Sequence, residues 1–150
     1  MALKFRTDAP PASEQAIQSL EQKLGIKLPA DYAHFLLIQN GGSVDFSNKY
    51  YYQLPPEFPD SALLLESFLS VEEVETEYER VREAFCLSYV PIGVDDFGNY
   101  VCLGIAAKEQ GAVFFLDHEL VDEETEQNLV VRIADSFGVF VSGLTTDKGP

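Results

Sequence analysis

Apolar positions in the first third of the chain recur every three to four residues, the spacing of a helix face. Ile17, Leu20 and Leu24 share one such face, Ser13 stands before them as a start residue, Glu14 suits the positive end of the helix dipole, and Gly25 follows as a stop. This predicts a first helix from Ser13 to Leu24. A second begins at once, with Pro29 suited to the first helical position and Asp31 to the first turn. The run Tyr32, Phe35, Leu36, Leu37, Ile38 is apolar on more than one face, so this helix should be largely buried. Asn40-Gly41-Gly42 then lets the chain reverse into an extended segment, Ser43 to Phe46.

The pattern changes after residue 47. Tyr50-Tyr51-Tyr52 followed by Pro55, Pro56 and Pro59 reads as a strand and then a loop, and Leu63 to Leu69 as the next strand. Ser70 with Glu73 has the spacing of a capping box, and Val71, Val74, Tyr78, Val81 and Phe85 mark one face of a third helix. Tyr89 to Val94 and Tyr100 to Ile105 flank Asp95-Asp96-Phe97-Gly98-Asn99, which predicts a hairpin. Ala112 to Leu116 is a further strand, an acidic loop follows, Leu129 to Ile133 is a short extended run, and Phe137, Phe140, Val141 and Leu144 mark a last helix from Ser136 to Leu144. Long crossovers are scarce in this order. The expected fold is α+β, with a mainly antiparallel sheet of five to six strands, two N-terminal helices, one middle helix and one C-terminal helix. Residues 1–12 form an arm, 13–144 one domain and 145–150 a tail.

Composition narrows the function classes. At 150 residues and 46% hydrophobic the chain can build a core without staples. No stretch approaches the roughly 20 apolar residues of a membrane span, and the polar N-terminus lacks a secretory pattern, so a cytoplasmic location is expected. Cys86 and Cys102 lie in apolar runs and should be reduced, buried thiols. The 25 acids against 10 bases give a net charge of −15, and no Lys/Arg cluster exists that could follow a phosphate backbone, which argues against nucleic acid as a partner.

Ile17-x-x-Leu20-Glu21-x-x-Leu24-Gly25, followed by Leu28-Pro29-x-Asp31-Tyr32-x-x-Phe35-Leu36 and Asn40-Gly41-Gly42, resembles the SUKH superfamily, the Smi/Knr-like domains. Val90-Pro91-Ile92, Gly98-Asn99-Tyr100, Val113-Phe114-Phe115-x-Asp117-His118-Glu119 and Ala134-Asp135-Ser136-Phe137-x-x-Phe140 are similar to its later elements, although Gly138 and Val139 replace the acidic or polar residues usual there. The resemblance covers Ser13 to Leu144. It implies an α+β fold with no shared catalytic motif. For bacterial members it implies an immunity protein that neutralises a secreted toxin, often a nuclease; for fungal relatives, a regulatory module that engages signalling partners. That function rests on analogy between sequences of one fold.

The residues themselves offer little chemistry. His34 and His118 do not gather a zinc ligand set, Asp95-Asp96 and Asn99 lack calcium-loop spacing and suit a turn, and Asp117-His118-Glu119 suits a polar strand end. No nucleophile elbow, phosphate loop or dinucleotide fingerprint is present. No catalytic residue, cofactor or metal is expected. An enzyme would instead need Asp95, Asp96, Asp117 and Glu119 to converge in one pocket.

The acids are concentrated. Residues 57–83 carry nine acids and two bases, and residues 117–126 six acids and no base, whereas the first 50 residues carry five of each. On the third helix Glu73 and Glu77, Glu75 and Glu79, and Glu79 and Glu83 are like-charge neighbours, each pair costing about 0.2–0.5 kcal/mol. Stability alone would have interspersed lysines. The expected partner-binding residues are therefore Glu72, Glu73, Glu77, Asp117, Glu119, Asp122, Glu123 and Glu124, with Tyr50, Tyr51 and Tyr52 as aromatic anchors, and the expected partner is a protein with a basic surface, a toxin domain under the resemblance. Alternation along a strand also allows Tyr50 and Tyr52 to share one face and Tyr51 the other. The sequence leaves homodimerisation open.

Overall fold

The computed structural model describes residues 4–7, 9–45, 48–56, 58, 62–84, 88–106, 108–121, 123–124 and 126–146. Its elements are α1 (Glu14–Leu24), α2 (Ala30–Ile38), β1 (Gly42–Ser43), β2 (Tyr50–Gln53), β3 (Ala62–Phe68), α3 (Val71–Ala84), β4 (Tyr89–Asp95), β5 (Tyr100–Gly104), β6 (Val113–Val121), β7 (Asn128–Ala134) and α4 (Phe137–Ser142). The α+β class and the antiparallel sheet are as expected. The sheet has seven strands because the segment before β3 is split into two. Phe46, Phe85 and Cys86 lie outside the described residues. No helix among the described residues is long and apolar enough to cross a membrane.

Local chemistry explains the helix ends. Ser13 Oγ accepts the Ala16 N–H at 3.0 Å, and Gly25 closes α1 at φ 73°, where a side chain would be strained. Pro29 sits at the N-cap of α2 rather than at its first helical position. Around α3, Ser70 Oγ accepts from the Glu73 N–H and Glu73 Oε1 from the Ser70 N–H, a complete capping box, while Asn40 Oδ1 takes the Val71 N–H at 2.8 Å. Ser136 caps α4, and Asp31 reaches across from α2 to accept the Gly138 N–H at 2.9 Å.

β1 and β2 lie in tandem along one side of β3, pairing Gly42 with Phe68 and Tyr50 with Leu65, and β4, β5, β6 and β7 follow on its other side, every pairing antiparallel. Arg6 bridges Ser43 and Thr145 bridges Tyr51 through paired backbone hydrogen bonds of 2.8–3.0 Å, so the β1/β2 edge is covered by the chain's own ends. β5 is buried along its whole length. Its Val101 and Leu103 join the main core, and its Tyr100 and Cys102 join a smaller cluster with Val81 and Leu116 on the opposite face, as a period of two requires.

The main core is aromatic where α2, β3 and α4 meet. Phe68 stands edge-on to Phe35 and Phe137, and Tyr32 edge-on to Phe137, at centroid distances of 5.0–5.6 Å. α2 is less enclosed than its composition suggests: Tyr32 and Leu36 are buried, but Ile38 is exposed.

Candidate partner-binding surface

Two of the three tyrosines are not surface anchors. Tyr50 and Tyr52 are 4% and 3% exposed, because alternate residues of β2 turn into the core, where Tyr50 packs on Phe5 and Tyr52 on Phe140. Tyr51 faces the other way and is half-buried, with its backbone paired to Thr145.

Three of the acids of α3 are paired with bases, one of them from a distant part of the chain. Lys23 of α1 pairs with Glu75, Arg80 with Glu77 at 2.6 Å, and Arg82 with Glu79 at 3.5 Å. Glu77 also accepts the Tyr100 hydroxyl at 2.9 Å, and Arg80 donates to the same hydroxyl. Burial, together with Glu77, pushes the Tyr100 pKa up to about 12. Glu73 is committed to the capping box. Of the expected α3 residues, Glu72 is exposed on the first turn of the helix. The like-charge repulsion inferred along this helix is therefore partly relieved, by Arg80 and Arg82 on the helix itself and by Lys23 across from α1.

The opposite holds at the far end of β6. Between Glu109 and Val131 the chain contains no Lys or Arg. Glu119, Glu123 and Glu124 are exposed, and among the described residues neither Glu119 nor Glu123 pairs with a Lys or Arg in a salt bridge. Glu119 lies 3.4 Å from His118 Nε2. Asp122 lies outside the described residues. Asp117 is half-buried and uses its Oδ1 on its own backbone, accepting the Glu119 and Leu120 N–H groups at 2.8 and 2.9 Å. The expected loop is in fact strand with a bulge. Leu116 pairs with Val130 and Val121 with Asn128, so five steps along β6 face two along β7, and the surplus pushes Glu119 and Leu120 outward.

The β4–β5 turn sits beside this bulge. Asn99 Oδ1 accepts the His118 backbone N–H at 3.1 Å and contacts His118 Nδ1 at 2.7 Å, tying the turn to β6. Asp95 is fully buried; its Oδ1 accepts the Phe97 and Asn99 N–H groups, both at 2.9 Å, and its Oδ2 the Tyr52 hydroxyl at 3.3 Å. Burial raises its carboxyl pKa against the lowering pull of those turn N–H groups. Asp95 is thus occupied inside the turn, while Asp96 and Phe97 are exposed. Sequence reasoning missed Phe97. The available signal was an aromatic residue in a turn whose other members are polar or glycine.

The acidic segments approach one another through β5. Glu77 bonds Tyr100, and Tyr100 is paired with Leu116, the residue before Asp117. Arg80 stands at that junction, so the two segments meet across a basic side chain rather than forming one unbroken negative field. Among the described residues, no group of three or more His, Cys, Asp or Glu side chains is placed to hold a metal ion.

Comparison with known proteins agrees with these elements. The chain is 34% identical over 133 residues to an uncharacterised protein, YnaB, of Bacillus subtilis (strain 168), covering 88% of this chain and 78% of that one. The family description SMI1 / KNR4 (SUKH-1) matches residues 11–143, from just before the Ser13 cap to the end of α4. The chain therefore belongs to the SMI1/KNR4 family (SUKH-1).

Proposed function

We propose that this chain is a non-catalytic, cytoplasmic immunity protein, which binds a cognate nuclease-like toxin domain and occludes the basic face with which that toxin holds its substrate. Family membership supports the class of function. The observation that carries the binding mode is the acidic end of β6, where exposed Glu119 and Glu123 lie in a stretch of sequence with no Lys or Arg, beside the β4–β5 turn. Clustered exposed acids speed encounter with a basic protein and need no covalent step. The paired acids Glu75, Glu77 and Glu79 of α3 contribute less to that field than their number suggests.

Co-expression with the toxin domain encoded beside the gene tests this reading. The expected result is restored growth and a stoichiometric complex on a sizing column. Continued killing with no complex would refute it and turn attention to an endogenous regulatory partner.

A further inference from the structure

Phe97 is 66% exposed and Leu120 58% exposed, and both lie at the acidic end of the sheet. Single exposed apolar residues are ordinary. These two differ in how they are held. Asp95 clamps the Phe97 and Asn99 N–H groups from below, the Gly98 N–H returns to the Asp95 carbonyl at 3.3 Å, and the Asp96 N–H reaches the Leu64 carbonyl at 3.2 Å, so the backbone carrying the ring is fixed on both sides. The bulge carrying Leu120 is fixed by Asp117 and joined to the turn through His118 and Asn99. A Cβ placed at Gly98 would lie 3.5 Å from the His118 ring, which shows how closely the turn and the bulge abut.

An aromatic ring on a rigid turn loses little freedom on binding, which is what an interface anchor requires. Its surroundings define the partner. Asp96 is exposed beside it in the turn, Glu119, Glu123 and Glu124 are exposed on the β6 segment that the turn abuts, and no basic residue lies in either segment. Ile38 and Val139, similarly exposed, have no acid within two positions in sequence. A second copy would bring like charge against like, at −15 per chain.

We infer that Phe97 and Leu120 form the apolar anchor of the partner-binding surface, received by an apolar pocket rimmed with Lys or Arg on a different, basic protein. This inference rests on the immunity reading and adds where the binding energy lies. The test is binding kinetics of the intact chain with the purified toxin domain encoded beside its gene, using Phe97→Ala and Leu120→Ser, which leave the acids and Asp95 in place. Phe97→Ala should dissociate about thirtyfold faster, the size of a hot-spot truncation, with an association rate within about twofold of the unaltered chain. Unchanged urea midpoints would show that both variants fold. Dissociation of both within about twofold of the unaltered chain overturns this inference alone. Failure of the unaltered chain to bind overturns the immunity reading and this inference together.

Discussion

Removing the carboxylate of Asp95 tests the clamp beneath the β4–β5 turn. Asp95→Ala strips the acceptor from the Phe97 and Asn99 N–H groups and from the Tyr52 hydroxyl. Tyr52 and Asn99 are buried, so water cannot readily replace the lost acceptor there, whereas Phe97 is open to solvent. At about 1–3 kcal/mol for each buried donor left unsatisfied, and allowing for relief of the buried charge, the loss should be about 2–4 kcal/mol. Asp95→Asn keeps the Oδ1 acceptor for both turn N–H groups and offers an amide to the Tyr52 oxygen. It should stay within about 1 kcal/mol of the unaltered chain at neutral pH. The pH dependence has a definite sign. Because burial raises the folded pKa of Asp95, the folded protein holds this proton more readily than the unfolded chain does. The carboxylate therefore costs stability above its folded pKa, and that cost fades as pH falls through the folded value towards the unfolded one. Urea denaturation from pH 7 into the carboxylate range should show the unaltered chain gaining on Asp95→Asn as pH falls. An Asn variant as unstable as the Ala variant, or an Ala variant losing less than about 1 kcal/mol, would refute this account of the turn.

Other positions give independent checks. The Tyr32 hydroxyl is buried without a hydrogen-bond partner among the described residues, so Tyr32→Phe should leave stability unchanged or raise it by about 1–2 kcal/mol in thermal denaturation. A Cβ at Gly41 would lie 2.7 Å from the Leu69 carbonyl carbon and the Ser70 nitrogen at φ 78°, whereas one at Gly25 would meet nothing within 4 Å at φ 73°. Gly41→Ala should therefore cost about 3 kcal/mol or more, against about 1 kcal/mol for Gly25→Ala, measured by urea midpoints. Glu73→Ala should cost about 1 kcal/mol and raise hydrogen exchange in the first turn of α3, because it opens the capping box.

What the sequence revealed was chiefly what is decided within a few residues. Ser13, Gly25, Ser70, Glu73 and Ser136 mark helix ends because their contacts reach only three or four positions, and the Asp95–Asn99 hairpin is marked by residues the turn itself requires. The alternation of Tyr50, Tyr51 and Tyr52 was legible as geometry, but which side met the core depended on α4 and on Phe5, both distant in sequence. The charge pattern of α3 was incomplete in part for the same reason. Lys23 lies 52 positions from Glu75, so the relief it gives α3 could not be read along that helix. The bulge at Asp117–Leu120 depends on pairing with β7 and reads in sequence as an acidic loop.

The central claim is that the acidic end of β6, rather than α3, steers a basic protein onto this chain. Stopped-flow association with the neighbouring toxin domain, across a salt series, tests it most directly. Glu123→Lys with Glu124→Lys should slow association about tenfold or more at low salt and flatten the salt dependence, whereas Glu79→Lys should change it by less than about threefold. Association indifferent to the β6 reversals, or more sensitive to the α3 one, would contradict the account.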